Sequence, residues 1–113
     1  MLNEQAECKS EYREGVLYTS ICGEIDHHTA ASVREKIDRD MLKHRPKRLV
    51  IDLGQVGFMD SSGLGLILGR SAVAEEIGAS VELYNVGKRI MKILSMAGVD
   101  RIANIRISKK GDN

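Results

Sequence analysis

Two rhythms of apolar and polar residues run along the chain and divide it into eight elements. From residue 29, "TAASVREKIDRDMLKHR" places Ala30, Val33, Ile37, Met41 and Leu42 at three- and four-residue spacing with charges between, which predicts a helix. Lys43, His44 and Arg45 suit its negative end, and Pro46 separates it from "RLVIDL", residues 48–53. There Leu49, Val50, Ile51 and Leu53 form the nearly continuous apolar run of a central strand. Upstream, "GVLYTSICGEI" reads as a strand bounded by Gly15 and Gly23. "AECKSEYRE" is its weaker hairpin partner, with "REG" as the turn.

After the central strand, "SSGLGLILGRSAVAEEIG" predicts a helix ended by Gly78, and "SVELYNV" a strand. "GKRIMKILSMAG" predicts a short helix with Ile90, Ile93, Leu94 and Ala97 on one side and Gly98 as its stop. "IANIRIS" predicts a last, edge strand. The order β-β-α-β-α-β-α-β gives an α/β fold whose mixed sheet is covered on one face by three helices. A length of 113 residues suits one domain spanning 1–113, with residues 1–9 and 109–113 expected to fray.

Composition narrows the function classes. A net charge of +1 offers no bulk attraction for nucleic acid or a membrane surface. Aromatics at 4%, with no Trp, argue against base-stacking platforms and a large aromatic pocket. The polar start "MLNEQAECKSEYREG" is not a signal peptide, and no apolar run reaches membrane-spanning length. Cys8 and Cys22 are too few for a disulfide framework and lack metal spacing. Both are expected to be reduced thiols in a cytoplasmic protein.

Three stretches could carry chemistry. "MDSSG", residues 59–63, joins the end of a buried strand to a helix, where ligands of open α/β sheets gather. Asp60, Ser61 and Ser62 are all helix-capping residue types, and either hydroxyl could serve as the cap. The glycines do not frame a serine as a nucleophile elbow, and no lysine follows them as in a phosphate-binding loop.

"LGLILG" puts Leu64, Ile67, Leu68 and Ser71 on one wheel face, expected against the sheet, extended by Leu66, Val73 and Ile77. Gly65 and Gly69 lie one turn apart on another, nearly bare face, which fits either a neighbouring element of the domain or a docking protein. "GEIDHHTA", residues 23–30, is a second strand-to-helix junction in which Asp26 or Thr29 can cap. Its His27 and His28 are better read as solvated or capping residues than as metal ligands.

"GEIDHHTA" together with "LVIDLGQVGFMDSSGLGLILGR" resembles the anti-sigma factor antagonists of the STAS domain family, and the anti-sigma-F antagonists in particular. The resemblance implies a STAS-type fold and a switch protein that is not an enzyme and needs no cofactor. It implies phosphorylation of the first serine of the motif, Ser61, by an anti-sigma factor that is also a serine kinase. It further implies that the unphosphorylated form binds this kinase and frees its sigma factor, and that a serine phosphatase restores that form. Asp26, by the same resemblance, lies beside the modified serine.

The expected partner-binding set is Asp26, Asp60, Ser62, Gly63, Gly65 and Gly69. No direct nucleic-acid or membrane contact is expected, and the free protein is expected to be monomeric. Gly54 and Gly57 stand where relatives are expected to carry bulkier or polar residues. Two other readings remain: a STAS subunit of a different partner-switching stress cascade, and a small hydrolase or nucleotide-binding protein using Ser61, Asp26 and His28.

Overall fold

A computed structural model describes residues 7–111. Five strands stand in one sheet in chain order: β1 (Glu7–Arg13), β2 (Val16–Cys22), β3 (Arg48–Gln55), β4 (Ser80–Val86) and β5 (Ile105–Lys109). The β1–β2 pair is antiparallel and the other three pairs are parallel. Glu14 and Gly15, at φ 52° and 86°, make the two-residue turn whose left-handed conformation matches strand twist.

Three helices carry the crossovers: α1 (His27–His44), α2 (Ser61–Glu76) and α3 (Lys88–Met96). Crossovers of one hand between successive neighbouring strands put every helix on the same face. That face holds the core: Leu17, Ile21, Leu49, Ile51, Leu53, Val81 and Leu83 alternate inward and are at most 1% exposed. Ile37 and Met41 of α1, Ile67 of α2 and Leu94 of α3 close over them. The opposite face carries Tyr18, Asp52, Glu82 and Tyr84 around a shallow depression of about 550 Å³. Among the described residues no helix is long and apolar enough to cross a membrane.

Several expectations are corrected. Fraying of residues 1–9 and 109–113 does not extend to Glu7–Lys9, which pair in β1, or to Lys109, which pairs with Val86; residues 1–6 and 112–113 lie outside the described set. The last strand begins at Ile105, because a 3-10 turn over Val99–Arg101 buries Val99 before it. On α3, Ala97 is exposed as the C-cap while Ile90 and Leu94 are buried.

On α2 the packed arc is Gly63, Leu66, Ile67, Arg70, Ser71 and Ala74, while Leu68 is 39% exposed. This helix packs on α1 as well as on the sheet, so its buried arc is rotated toward α1. Gly54 lies within β3, where an added Cβ would come within 3.1 Å of Asn85 and Asp52 side-chain atoms. Its role is close packing beneath the irregular end of β4. The cysteines are free; Cys8 sits opposite Ile21 and Cys22 opposite Glu7. Burial pushes the Cys8 thiol up, which suits an unreactive side chain.

Alanine substitutions along α2 should divide by sign. A Cβ at Gly63 would lie 2.6 Å from Met59 Cβ, whereas at Gly65 or Gly69 it would meet nothing within 4 Å. Gly63→Ala is expected to cost about 1–3 kcal/mol as overpacking. Gly65→Ala and Gly69→Ala are each expected to stabilise by up to about 1 kcal/mol. Urea unfolding of the three variants checks this, and equal effects at all three positions would contradict it.

Candidate functional site

Because β2 and β3 are parallel neighbours, the junctions that follow them emerge side by side. Backbone bonds sew them together: Gly23 N–H to Gln55 O at 3.1 Å, Ile25 N–H to Phe58 O at 3.0 Å, and Asp60 N–H to Ile25 O at 3.2 Å. The resulting Ile25–Met59 bridge is anchored by two side chains that are 0% and 1% exposed. Two helix N-termini therefore open at one place. Each contributes a partial positive charge of about half a unit.

Both ends are capped by aspartate. Asp26 Oδ1 accepts from the N–H groups of His28 and Thr29 at 2.9 and 3.1 Å. Thr29 Oγ1 accepts in return from Asp26 N–H at 3.0 Å, completing a capping box. Asp60 Oδ1 accepts from Ser62 N–H at 2.8 Å. Neither serine caps α2, contrary to one of the expected options, because the carboxylate one residue earlier already holds the free amide.

Ser61 is the first residue of α2 and is exposed; its hydroxyl makes no hydrogen bond among the described residues. Ser62 is half-buried. Gly63 is buried against Met59, so its expected contact with a partner is not available from the surface. It lets the first turn of α2 sit on the junction. Gly65 is exposed and Gly69 half-buried, with open space at both Cβ positions, so no neighbouring element of the described domain packs there.

The histidines are helical and belong to the first turn of α1. Their rings meet edge to face, with centroids 5.8 Å apart. Among the described residues no group of three or more His, Cys, Asp or Glu is placed to hold a metal ion.

Three features escaped the sequence reading. Phe58, 42% exposed, makes an apolar lip beside the motif. Between α1 and α2 runs a groove of about 450 Å³ that Arg34 and Arg70 line together with Gly65 and Gly69. Arg70 is 6% exposed, and its Nε stands 2.8 Å from Asp38 Oδ1. Burial lowers the Arg70 pKa, Asp38 opposes that, and the charge of Arg34 adds to it. The available signal was Arg70 itself, a charge three and four residues after the buried Ile67 and Leu66.

The hydrogen bond from Thr29 N–H chiefly holds the Asp26 carboxyl below the 3.8 of a free aspartate, and that from His28 N–H adds to it. A depressed carboxylate stabilises fully above its unfolded value, and its contribution is lost as pH falls through the lower folded value. The melting-temperature gap between wild type and Asp26→Asn should therefore hold steady at neutral and mildly acid pH, then narrow below about pH 4. A gap that stays constant through that window would show that the charge contributes nothing.

Set beside known proteins, the chain matches the STAS domain over residues 8–110. It is 36% identical over 95 residues to the anti-sigma F factor antagonist of Paenibacillus polymyxa, covering 84% of this chain and 81% of that one. It is 32% identical over 98 residues to the anti-sigma-B factor antagonist of Bacillus subtilis (strain 168), covering 87% and 88%. The anti-sigma factor antagonist SpoIIAA in its unphosphorylated form superposes with a TM-score of 0.77 at 24% identity, over 91% of this chain and 89% of that chain. The phosphorylated form of SpoIIAA, the Bacillus cell fate determinant, superposes at 0.70 and 24% identity over 91% and 92%. The five-stranded mixed sheet with helices on one face is the SpoIIAA fold, and the chain belongs to the STAS domain family.

Proposed function

We propose that this protein is an anti-sigma factor antagonist controlled by phosphorylation of Ser61. Its unphosphorylated form binds an anti-sigma factor with serine kinase activity and releases the sigma factor. A serine phosphatase regenerates that form. The observation that carries the reading is an exposed, unbonded serine at the first position of a helix, flanked by two aspartate-capped N-termini. The relatives named above support the antagonist role, and SpoIIAA is itself known in phosphorylated and unphosphorylated forms.

The physics of such a switch is local. Phosphate adds about −1.5 to −2 charges at neutral pH. A helix N-terminus tolerates that charge, so the domain stays folded. The carboxylates of Asp26 and Asp60 already occupy this end. Two like unit charges 4 Å apart repel by roughly 1 kcal/mol in water and about 4 kcal/mol at an effective dielectric of 20. A partner seated over the junction must bury or face that excess, and each 1.4 kcal/mol costs about tenfold in affinity. Partner contact is assigned to Asp26, Asp60, Ser62, Gly65 and Gly69, with Gly63 as their support.

A stress-cascade subunit is the second reading, favoured by the similarity to the anti-sigma-B factor antagonist. Co-purification from the native host with mass spectrometry of the partner separates the two. The hydrolase reading gains no geometric support, since Asp26 faces the amides of its own helix and is not linked to Ser61 or to the His28 ring among the described residues.

The identified kinase and ATP should place phosphate on Ser61 in wild type and in Ser62→Ala, and none in Ser61→Ala. Ser61→Ala should still bind the anti-sigma factor, and Ser61→Asp should bind poorly. Ser62→Ala should stay within about 0.5 kcal/mol of wild-type stability, whereas Asp60→Ala should lose about 1 kcal/mol as a missing cap. Fragment mass spectrometry that finds phosphate on Ser62, or full incorporation into Ser61→Ala, overturns the assignment.

A further inference from the structure

The groove between α1 and α2 begins beside the switch, where His27 and Ser62 line it, and includes Arg34 and Arg70 further along the two helices. Gly65 and Gly69 leave its wall bare, with room for a chain to approach the α2 backbone. The Arg70 side chain is 7% exposed, and its Nη1 is buried with no hydrogen-bond partner among the described residues. Asp38 answers one guanidinium at Nε. The exposed Arg34 adds a second positive charge, and none of the residues lining the groove is a carboxylate. The groove therefore carries the positive charge of Arg34, unpaired among the described residues, next to a surface made of glycine.

We propose that this groove receives a carboxylate-bearing segment of the anti-sigma factor, whose aspartate or glutamate accepts from Arg34 beside the guanidinium of Arg70 in the groove wall. The proposal rests on the reading of the chain as an anti-sigma factor antagonist. It extends the interface away from Ser61, along the two helices. It also couples the groove to the switch, because a phosphate on Ser61 stands at the end by which the acidic segment enters. Like charges then repel at the entrance while the groove itself is unchanged.

The test is calorimetric titration of the purified anti-sigma factor that co-purifies with the full chain. Arg34→Glu should keep its melting temperature, since Arg34 is exposed, and lose affinity by about tenfold or more. Arg34→Lys should retain most of the affinity. Gly69→Glu, which sets a carboxylate into the groove, should stay folded and bind as weakly as Arg34→Glu. Wild-type affinity should fall with rising salt more steeply than that of Arg34→Glu. Among acidic-to-lysine variants of the anti-sigma factor, one should restore binding to Arg34→Glu. Wild-type affinity in folded Arg34→Glu and Gly69→Glu, with Ser61→Asp binding lost, overturns the groove and leaves the antagonist reading standing. Loss of affinity that no acidic-to-lysine change rescues also overturns it. Failure of the wild-type chain to bind any serine-kinase anti-sigma factor overturns both.

Discussion

The short parallel bridge between Ile25 and Met59 is the constraint on which the functional end of this molecule depends. β2 and β3 are already neighbours, but strands end and chains diverge. The bridge carries the pairing past the strand ends, so that Asp26 and Asp60 start their helices from adjacent points. Both bridging side chains are fully buried, which puts the anchorage of the loops in the same core as the sheet. The dipoles of α1 and α2 then reinforce one another at a single surface, where isolated loops would scatter them.

The glycines of α2 have opposite roles within two turns. Gly63 is a packing residue, because Met59 of the bridge occupies the space a side chain would need. Gly65 and Gly69 face open space, so the domain itself gains nothing from them. Helix propensity opposes glycine at both positions. Open glycines beside the exposed Ser61 leave the α2 backbone uncovered by any part of the described domain.

Charge is divided along the two helices, with carboxylates at their N-termini and arginines further along. At their N-termini, carboxylates of Asp26 and Asp60 hold amide donors and leave Ser61 in a place where added negative charge is tolerated by the fold but opposed by its neighbours. About three turns further on, Asp38 and Arg70 pair across the helix interface. An ion pair buried on the arginine side only, with Asp38 about one-third exposed, does not by itself stabilise a fold. Its consequence here is to hold the guanidinium of α2 against α1, where Arg34 is close enough to feel its charge.

Much was legible in the order of residues. Alternation in "VLYTSIC" and the apolar run of "RLVIDL" specify strands because the backbone's two-residue period must match a half-buried or buried sheet. Pro46 ends α1 by its dihedral restriction, Gly98 ends α3 by its freedom to take a left-handed φ of 79°, and aspartates before α1 and α2 cap them by reach alone. These are local effects, and local sequence determines them. The rotation of α2 was not of that kind. Apolar and small residues surround this helix, so no wheel face dominates, and only contact with α1 selected the arc that buries Leu66 and Arg70 while exposing Leu68. The same holds for the division of labour between Gly63 and Gly65, for the neighbourhood of Asp26 and Ser61, and for the basic groove. The last two join residues tens of positions apart in the chain, and the first depends on Met59 being held by its bridge to Ile25, so all three follow from the parallel pairing of β2 with β3.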